Sequence, residues 1–180
     1  MTVAIRRVAL TPQCYRTVLQ HVAAGDVPSL VIQLQNELVA RHNHPPDIRI
    51  EWWSLDQHDA VLRLAESAGW PWPVRHRVCP IPGVTLSGGK SMAGTSIRTG
   101  LVWANDTEHD QRFHDFADAI DQACGKSRSI ACYPTYAETH ARGVLAIASS
   151  RACEFTRADV ELLIAFADAV GAALARRPAA

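Results

Sequence analysis

The stretch Val84-Thr85-Leu86-Ser87-Gly88-Gly89-Lys90-Ser91-Met92-Ala93-Gly94-Thr95-Ser96-Ile97-Arg98-Thr99-Gly100-Leu101-Val102-Trp103-Ala104-Asn105-Asp106-Thr107 continues as Glu108-His109-Asp110-Gln111-Arg112-Phe113-His114-Asp115-Phe116. Glycines at 88, 89, 94 and 100 bracket a short segment of helical character. A strand-like run, Leu101 to Ala104, follows, then a polar turn at Asn105-Asp106-Thr107 and a segment dense in charge, histidine and aromatics. Glycine admits positive φ and close backbone approach, so this crowding predicts a chain folded over itself around a cavity. Gly83 to Ser91 also comes near a phosphate-binding loop, G-x-x-x-x-G-K-[ST]. It carries one residue too many before Gly89-Lys90, and Val84 stands where the first glycine belongs, so we read no phosphate loop there.

Upstream, Thr11-Pro12 is a helix start, a capping hydroxyl followed by proline at the first helical position. Tyr15, Val18, Leu19 and Val22 repeat at helical spacing up to Gly25. A second helix opens at Val27-Pro28, carries Val31, Leu34 and Leu38 on one face, and runs out in His42-Asn43-His44-Pro45-Pro46. From Ile48 the period becomes two: Ile48, Ile50 and Trp52 alternate with Arg49, Glu51 and Trp53. A turn at Asp56 to Asp59 leads into a hairpin partner from Ala60 to Ala65. Residues 69 to 83, rich in proline and tryptophan, predict a long loop with one short strand at Val74 to Val78, and such loops are often functional.

Downstream, Phe113 to Cys124 predicts a helix ended by Gly125, and Ser129 to Tyr133 a strand closed by Pro134. Gly143 to Ala148 is almost wholly apolar, as a strand buried on both faces is. Thr156-Arg157-Ala158-Asp159 is a capping box opening a last helix over Val160 to Leu174. Two helices followed by a meander of strands predict an α+β fold.

In order and spacing these segments resemble a GAF domain. The middle matches G…G…G-(apolar)₃…D…D-x-R-F through Gly89, Gly94, Gly100, Leu101 to Trp103, Asp106, Asp110, Arg112 and Phe113. Ala104-Asn105 stands where the family often has a second apolar pair. The ending, Gly-Val-Leu-Ala-Ile…Phe-Thr-x-x-Asp-x-x-Leu-Leu-x-x-Phe-Ala, looks like the family's last strand and last helix. The resemblance runs over residues 28–176, most closely over 84–176, and residues 1–26 read as a helical extension of a single 1–180 domain.

It implies a central six-stranded antiparallel sheet, with the N- and C-terminal helices on one face. On the other face, loops and short helices roof a ligand pocket. Family ligands include cyclic nucleotides, haem, tetrapyrroles, oxyanions and amino-acid derivatives, so the fold leaves the function open. Candidates to line the pocket are Trp53, Trp103, Asn105, Asp106, Phe113, Cys132 and Tyr133, aromatics for contact area and polar groups for orientation. Trp53 and Trp103 serve equally as core filling.

The expected function is that of a small-molecule-binding sensory domain, acting in signalling or regulation through non-covalent association with itself or a partner regulatory protein. An alternative is a thiol enzyme resembling the free methionine-(R)-sulfoxide reductases. Cys124 and Cys132, near Lys126 and Arg128, are the thiols to consider. The chain lacks the reductase's Gly-x-Cys-Gly element, and no catalytic residue is assigned. A third reading is a haem or gas sensor, with His76, His109 or His114 as axial ligand. His109 and His114 stand five apart, whereas one helical face wants three or four, so no metal site is expected; Asp110 and His114 fit an ordinary surface pair.

Composition narrows the partners. Eighteen basic and eighteen acidic residues cancel, so no charge footprint for nucleic acid or anionic membrane is present. No apolar run is long enough to span a bilayer and no signal peptide is legible. Five scattered cysteines, an odd number without C-x-x-C, predict a reduced, cytoplasmic protein. Finally, the last helix carries two apolar stripes, Val160-Leu163-Ala167-Val170-Leu174 and Leu162-Phe166-Ala169-Ala173. A helix apolar over so much of its circumference needs several neighbours, which predicts a homodimer through N- and C-terminal helices.

Overall fold

The computed structural model describes residues 10–42, 48–69, 78–80, 92–110 and 127–176, with 78–80 described by backbone alone. Helices α1 (Pro12–Ala24) and α2 (Val27–His42) open the chain. Strands β1 (Ile48–Asp56), β2 (Val61–Ala68) and β3 (Val78–Pro80) follow, then helix α3 (Met92–Thr99) and strand β4 (Val102–Ala104). The chain closes with β5 (Ser129–Ala137), β6 (His140–Ser149) and helix α4 (Arg157–Leu174). The sheet runs β3-β2-β1-β6-β5-β4 and is antiparallel throughout, with three-residue strands at both edges.

The helix ends are made by the local chemistry that marks them in sequence. Thr11 Oγ1 accepts from Cys14 N–H at 3.2 Å, and Gly25 closes α1 in the left-handed region at φ 67°. At α4 both arms of the capping box form: Asp159 N–H donates to Thr156 Oγ1, and Thr156 N–H donates back to Asp159 Oδ2 at 2.9 Å.

Of the short strand expected at Val74 to Val78, Val78 alone lies among the described residues, and it opens β3, which pairs with Val61 to Arg63 of β2; residues 74–77 lie outside the described residues. Proline is tolerated there because β3 is an edge. Pro134 does not close β5, which continues to Ala137. Among the described residues β4 pairs with Ile130 to Cys132 and nothing pairs with that side of β5 beyond Cys132, where a proline is tolerated. The helix expected over residues 113–124 falls outside the described residues.

Period two sorts the strands into two faces. Ile48, Ile50 and Trp52 of β1 and Leu145 and Ile147 of β6 join α1, α2 and α4 in one core. Trp53, Leu62, Leu64, Cys132 and Val144 join Met92 and Ala93 of α3 in a second core on the opposite face. A bulge makes this division work on β2. Trp52 pairs with Glu66 but Trp53 with Leu64, so one extra β2 residue intervenes. Leu62 and Leu64 thereby face α3 while Ala68 faces the helices.

Thirteen of the eighteen α4 residues are buried. Both of its apolar stripes are covered within one chain, by α1, α2, β5 and β6. This corrects the premise of the homodimer expectation, since no apolar face of α4 is left for a second copy. Close approach is what permits it: a Cβ at Gly171 would run into the backbone carbonyl of Tyr136 on β5. The N-terminal α1 is part of this layer, with Cys14, Val18 and Val22 buried in the same core.

Candidate functional site

The sheet face under α3 is floored by the central strands. On β1 it presents Arg49, Glu51 and Trp53, all buried, with Arg49 7% and Glu51 6% exposed. The β6 register sets Ala148 beside Arg49, Ala146 beside Glu51 and Val144 beside Trp53. One strand further on stand Ile130, Cys132 and Pro134. Two opposite charges therefore lie two residues apart on a covered strand, next to Ala146 and Ala148. Buried charge is expensive unless paired and hydrogen-bonded, and both side chains are held. Trp53 donates its indole N–H to Glu51 Oε2 at 2.8 Å, and Arg49 donates from Nη2 to Ser127 Oγ. Helix α3 turns Met92, Ala93 and Ser96 towards this face, all buried.

A second polar cluster braces the turn after β4. Asp106 receives Arg128 through Nε at 3.2 Å and Nη2 at 3.0 and 3.1 Å, and pairs with His109 Nδ1 at 2.9 Å. Arg128 and then His109 hold the Asp106 carboxyl well below the usual carboxylate range. Thr107 donates its hydroxyl to Ser127 O at 2.5 Å and its N–H to Arg128 O at 2.8 Å. The Ser127 side chain that meets Arg49 is thus fixed from behind by the β4 turn.

Of the residues expected to line one pocket, Trp53 and Cys132 share the α3 face. Trp103 and Tyr133 pack on the helix-side core instead. Trp103 is paired with Ala131 and Tyr133 with Leu145, both helix-facing, and adjacent strand residues point to opposite faces. Cys132 and Tyr133 therefore cannot line the same side. Asn105 is exposed, and its carbonyl accepts Cys153 N–H at 2.6 Å. Asp106 is committed to Arg128, a bracing role rather than one under α3. Phe113, His76, His114, Cys124 and the Gly83 to Ser91 stretch lie outside the described residues.

Arg49, Glu51 and Ser96 were not singled out by the sequence. For the first two a signal existed: β6 is apolar on both faces, so any strand beside it is covered on both faces too. Ser96 had none beyond its place in the glycine-rich segment.

For thiol chemistry the described cysteines offer little. Cys132 is buried, and burial with the Glu37 carboxylate alongside pushes the Cys14 thiol up to about 12; only Cys153 is exposed. Of the histidines considered as haem ligands, His109 stands out in solvent against Asp106. Among the described residues no group of three or more His, Cys, Asp or Glu can hold a metal ion, and no helix is long and apolar enough to cross a membrane.

Comparison with known proteins agrees with this architecture. Solved structures share the fold: the GAF domain of a phosphoenolpyruvate-protein phosphotransferase from Coxiella burnetii (15% identity, 89% of each chain, TM-score 0.65) and the free methionine-R-sulfoxide reductase of Neisseria meningitidis (19% identity, 96% of each chain, TM-score 0.59). The GAF domain of PixJ from Thermosynechococcus elongatus, in its blue-light absorbing form, is a third (17% identity, 93% of this chain and 90% of that one, TM-score 0.60). No curated protein matches the chain. The family model described as "GAF domain" matches residues 47–175, from the β1 strand that carries Arg49 and Glu51 to the end of α4, and by that match the chain belongs to the GAF domain family.

Proposed function

We propose that this chain is a sensory GAF domain that binds a small molecule between α3 and the Arg49–Glu51–Trp53 floor of the sheet. The observation that carries the reading is the burial of two opposite charges on a covered sheet face, oriented by an indole N–H and a serine hydroxyl. Apolar walls with a few convergent polar groups are the usual make-up of small-molecule sites. Trp53 supplies contact area, Cys132 and Ala146 supply wall, and the two charges supply orientation. Binding would be reported by non-covalent association, with the chain itself or with a regulatory partner. The free thiols Cys14, Cys132 and Cys153 fit a reducing, cytoplasmic setting.

Native mass spectrometry of the protein as purified tests this, followed by thermal shifts with a metabolite library. The expected result is a mass excess that is lost on denaturation, or a metabolite that raises Tm. Bare protein that no metabolite stabilises overturns the reading.

The thiol-enzyme alternative draws on the reductase whose fold this chain shares. NADPH-coupled turnover of free methionine sulfoxide would establish it in place of the sensor.

A further inference from the structure

His42 is the last residue of α2, and its side chain is 13% exposed between two carboxylates from the far end of the chain. Its Nδ1 stands 3.1 Å from Glu154 Oε1 and its Nε2 3.2 Å from Asp159 Oδ2. The Glu154 and Asp159 side chains are only 8% and 4% exposed. Phe155 meets the ring edge-on, with centroids 6.3 Å apart. Next to it, Arg41 donates to Ala158 O at 3.4 Å and reaches Asp159 Oδ1 at 3.6 Å. The end of α2 is thus tied to the turn before α4 and to the first turn of α4 itself.

A neutral imidazole carries one N–H and one lone pair; only the imidazolium carries an N–H on both nitrogens. With a carboxylate oxygen at each nitrogen, the neutral ring must turn its lone pair on one of them. Neither contact is aligned as a hydrogen bond, so the attraction is of charge for charge, and burial limits its screening. The other described histidines that meet a carboxylate, His21, His58 and His109, do so through Nδ1 alone and stand more open to solvent. Asp159 is also the residue whose Oδ2 accepts Thr156 N–H in the capping box. The ring therefore touches the group that starts α4.

We propose that His42 is a pH-sensitive latch: as imidazolium it holds the end of α2 to Glu154 and Asp159, and on losing its proton it lets the two helix ends part. Charged groups reach the cluster from each element packed there: Arg41 from α2, Glu154 from the turn and Asp159 from α4. Arg41 opposes a second positive charge, but it lies on the other oxygen of Asp159, whereas both carboxylates touch the ring directly. The stability gained from the proton is complete below the ordinary histidine range, near pH 6.5, and is lost as pH rises through and beyond it.

The test uses the full chain as wild type, His42→Gln and Glu154→Gln, with thermal unfolding followed from pH 5.5 to 8.5. At pH 5.5 the wild type is expected to melt at least about 3 °C above His42→Gln, and the gap closes by pH 8.5. Glu154→Gln, whose amide can face a neutral ring without repulsion, shows a smaller loss of Tm over the same rise than wild type. Hydrogen exchange on wild-type protein, corrected for the intrinsic rate, should show residues 39–42 losing protection as pH rises while β6 keeps it. A gap between wild type and His42→Gln that stays constant or widens with pH makes the ring a packing residue and overturns the proposal. A full wild-type pH dependence in Glu154→Gln overturns the two-carboxylate latch. Where His42→Gln fails to fold, hydrogen exchange decides, and unchanged protection of residues 39–42 from pH 5.5 to 8.5 overturns the proposal.

Discussion

The indole N–H of Trp53 donates to Glu51 Oε2 at 2.8 Å across two residues of one strand, with both side chains buried on the same sheet face. The bond explains why a tryptophan stands at a position where any large apolar residue would fill the space. It gives a buried carboxylate a donor and holds it in one orientation. Gly143 keeps the local backbone close, since a Cβ there would meet the Trp53 carbonyl.

Trp53→Phe keeps most of the apolar volume and removes the donor. Hydrogen bonds to charged groups contribute about 1.5–3 kcal/mol, so a loss in that range is expected from urea unfolding at pH 7. A loss below about 0.5 kcal/mol, within the usual range for a surface substitution, would show that the bond does not hold Glu51.

Phe166 is fully buried in the middle of α4. Phe166→Glu removes a core aromatic and buries a charge, a combined loss above about 4 kcal/mol. The expected product is an unfolded or aggregated chain by circular dichroism. A well-folded monomer would instead place Phe166 in an interface between copies, which the packing of α4 against α1 and α2 argues against.

Among the described cysteines, brief alkylation at pH 7.5 followed by peptide mass spectrometry should label Cys153 and spare Cys14 and Cys132. Cys153 is exposed, whereas Cys132 is buried and Cys14 is both buried and pushed up to about 12. Rapid labelling of Cys132 would mean that the sheet face under α3 opens readily, and would revive its candidacy as a nucleophile.

Asp106 is held ionised by Arg128 and His109. A carboxyl lowered in the folded state stabilises it fully above the ordinary range, near pH 4, and loses that contribution as pH falls towards the lowered value. Asp106→Asn should therefore be less stable than wild type at pH 7, with the two converging below about pH 3. A constant gap over that range would mean that the Arg128 contact contributes through packing alone.

What the sequence determined by itself was local. Thr11-Pro12, Gly25 and the Thr156–Asp159 box mark helix ends because caps are satisfied within a turn of chain, and the folded chain forms each as read. The switch to period two at Ile48 and the apolar run of β6 likewise announced the strands. The family, too, was legible, because its match spans an ordered series of such local signals.

Only the tertiary structure decided which residues meet. The face taken by a side chain depends on register, and one extra residue between Leu64 and Glu66 reverses it for the rest of β2. The registers of β5 on β6 and of β4 on β5 set Tyr133 beside Leu145 and Trp103 beside Ala131, so both sit across the sheet from Trp53. Arg49 and Glu51 alternate with apolar residues along β1, and only the folded chain shows that they too are buried. The two stripes of α4 looked like one face too many until α1 and α2 closed over both. Each of these outcomes rests on contacts between residues dozens of positions apart, and no periodicity within a single segment encodes them.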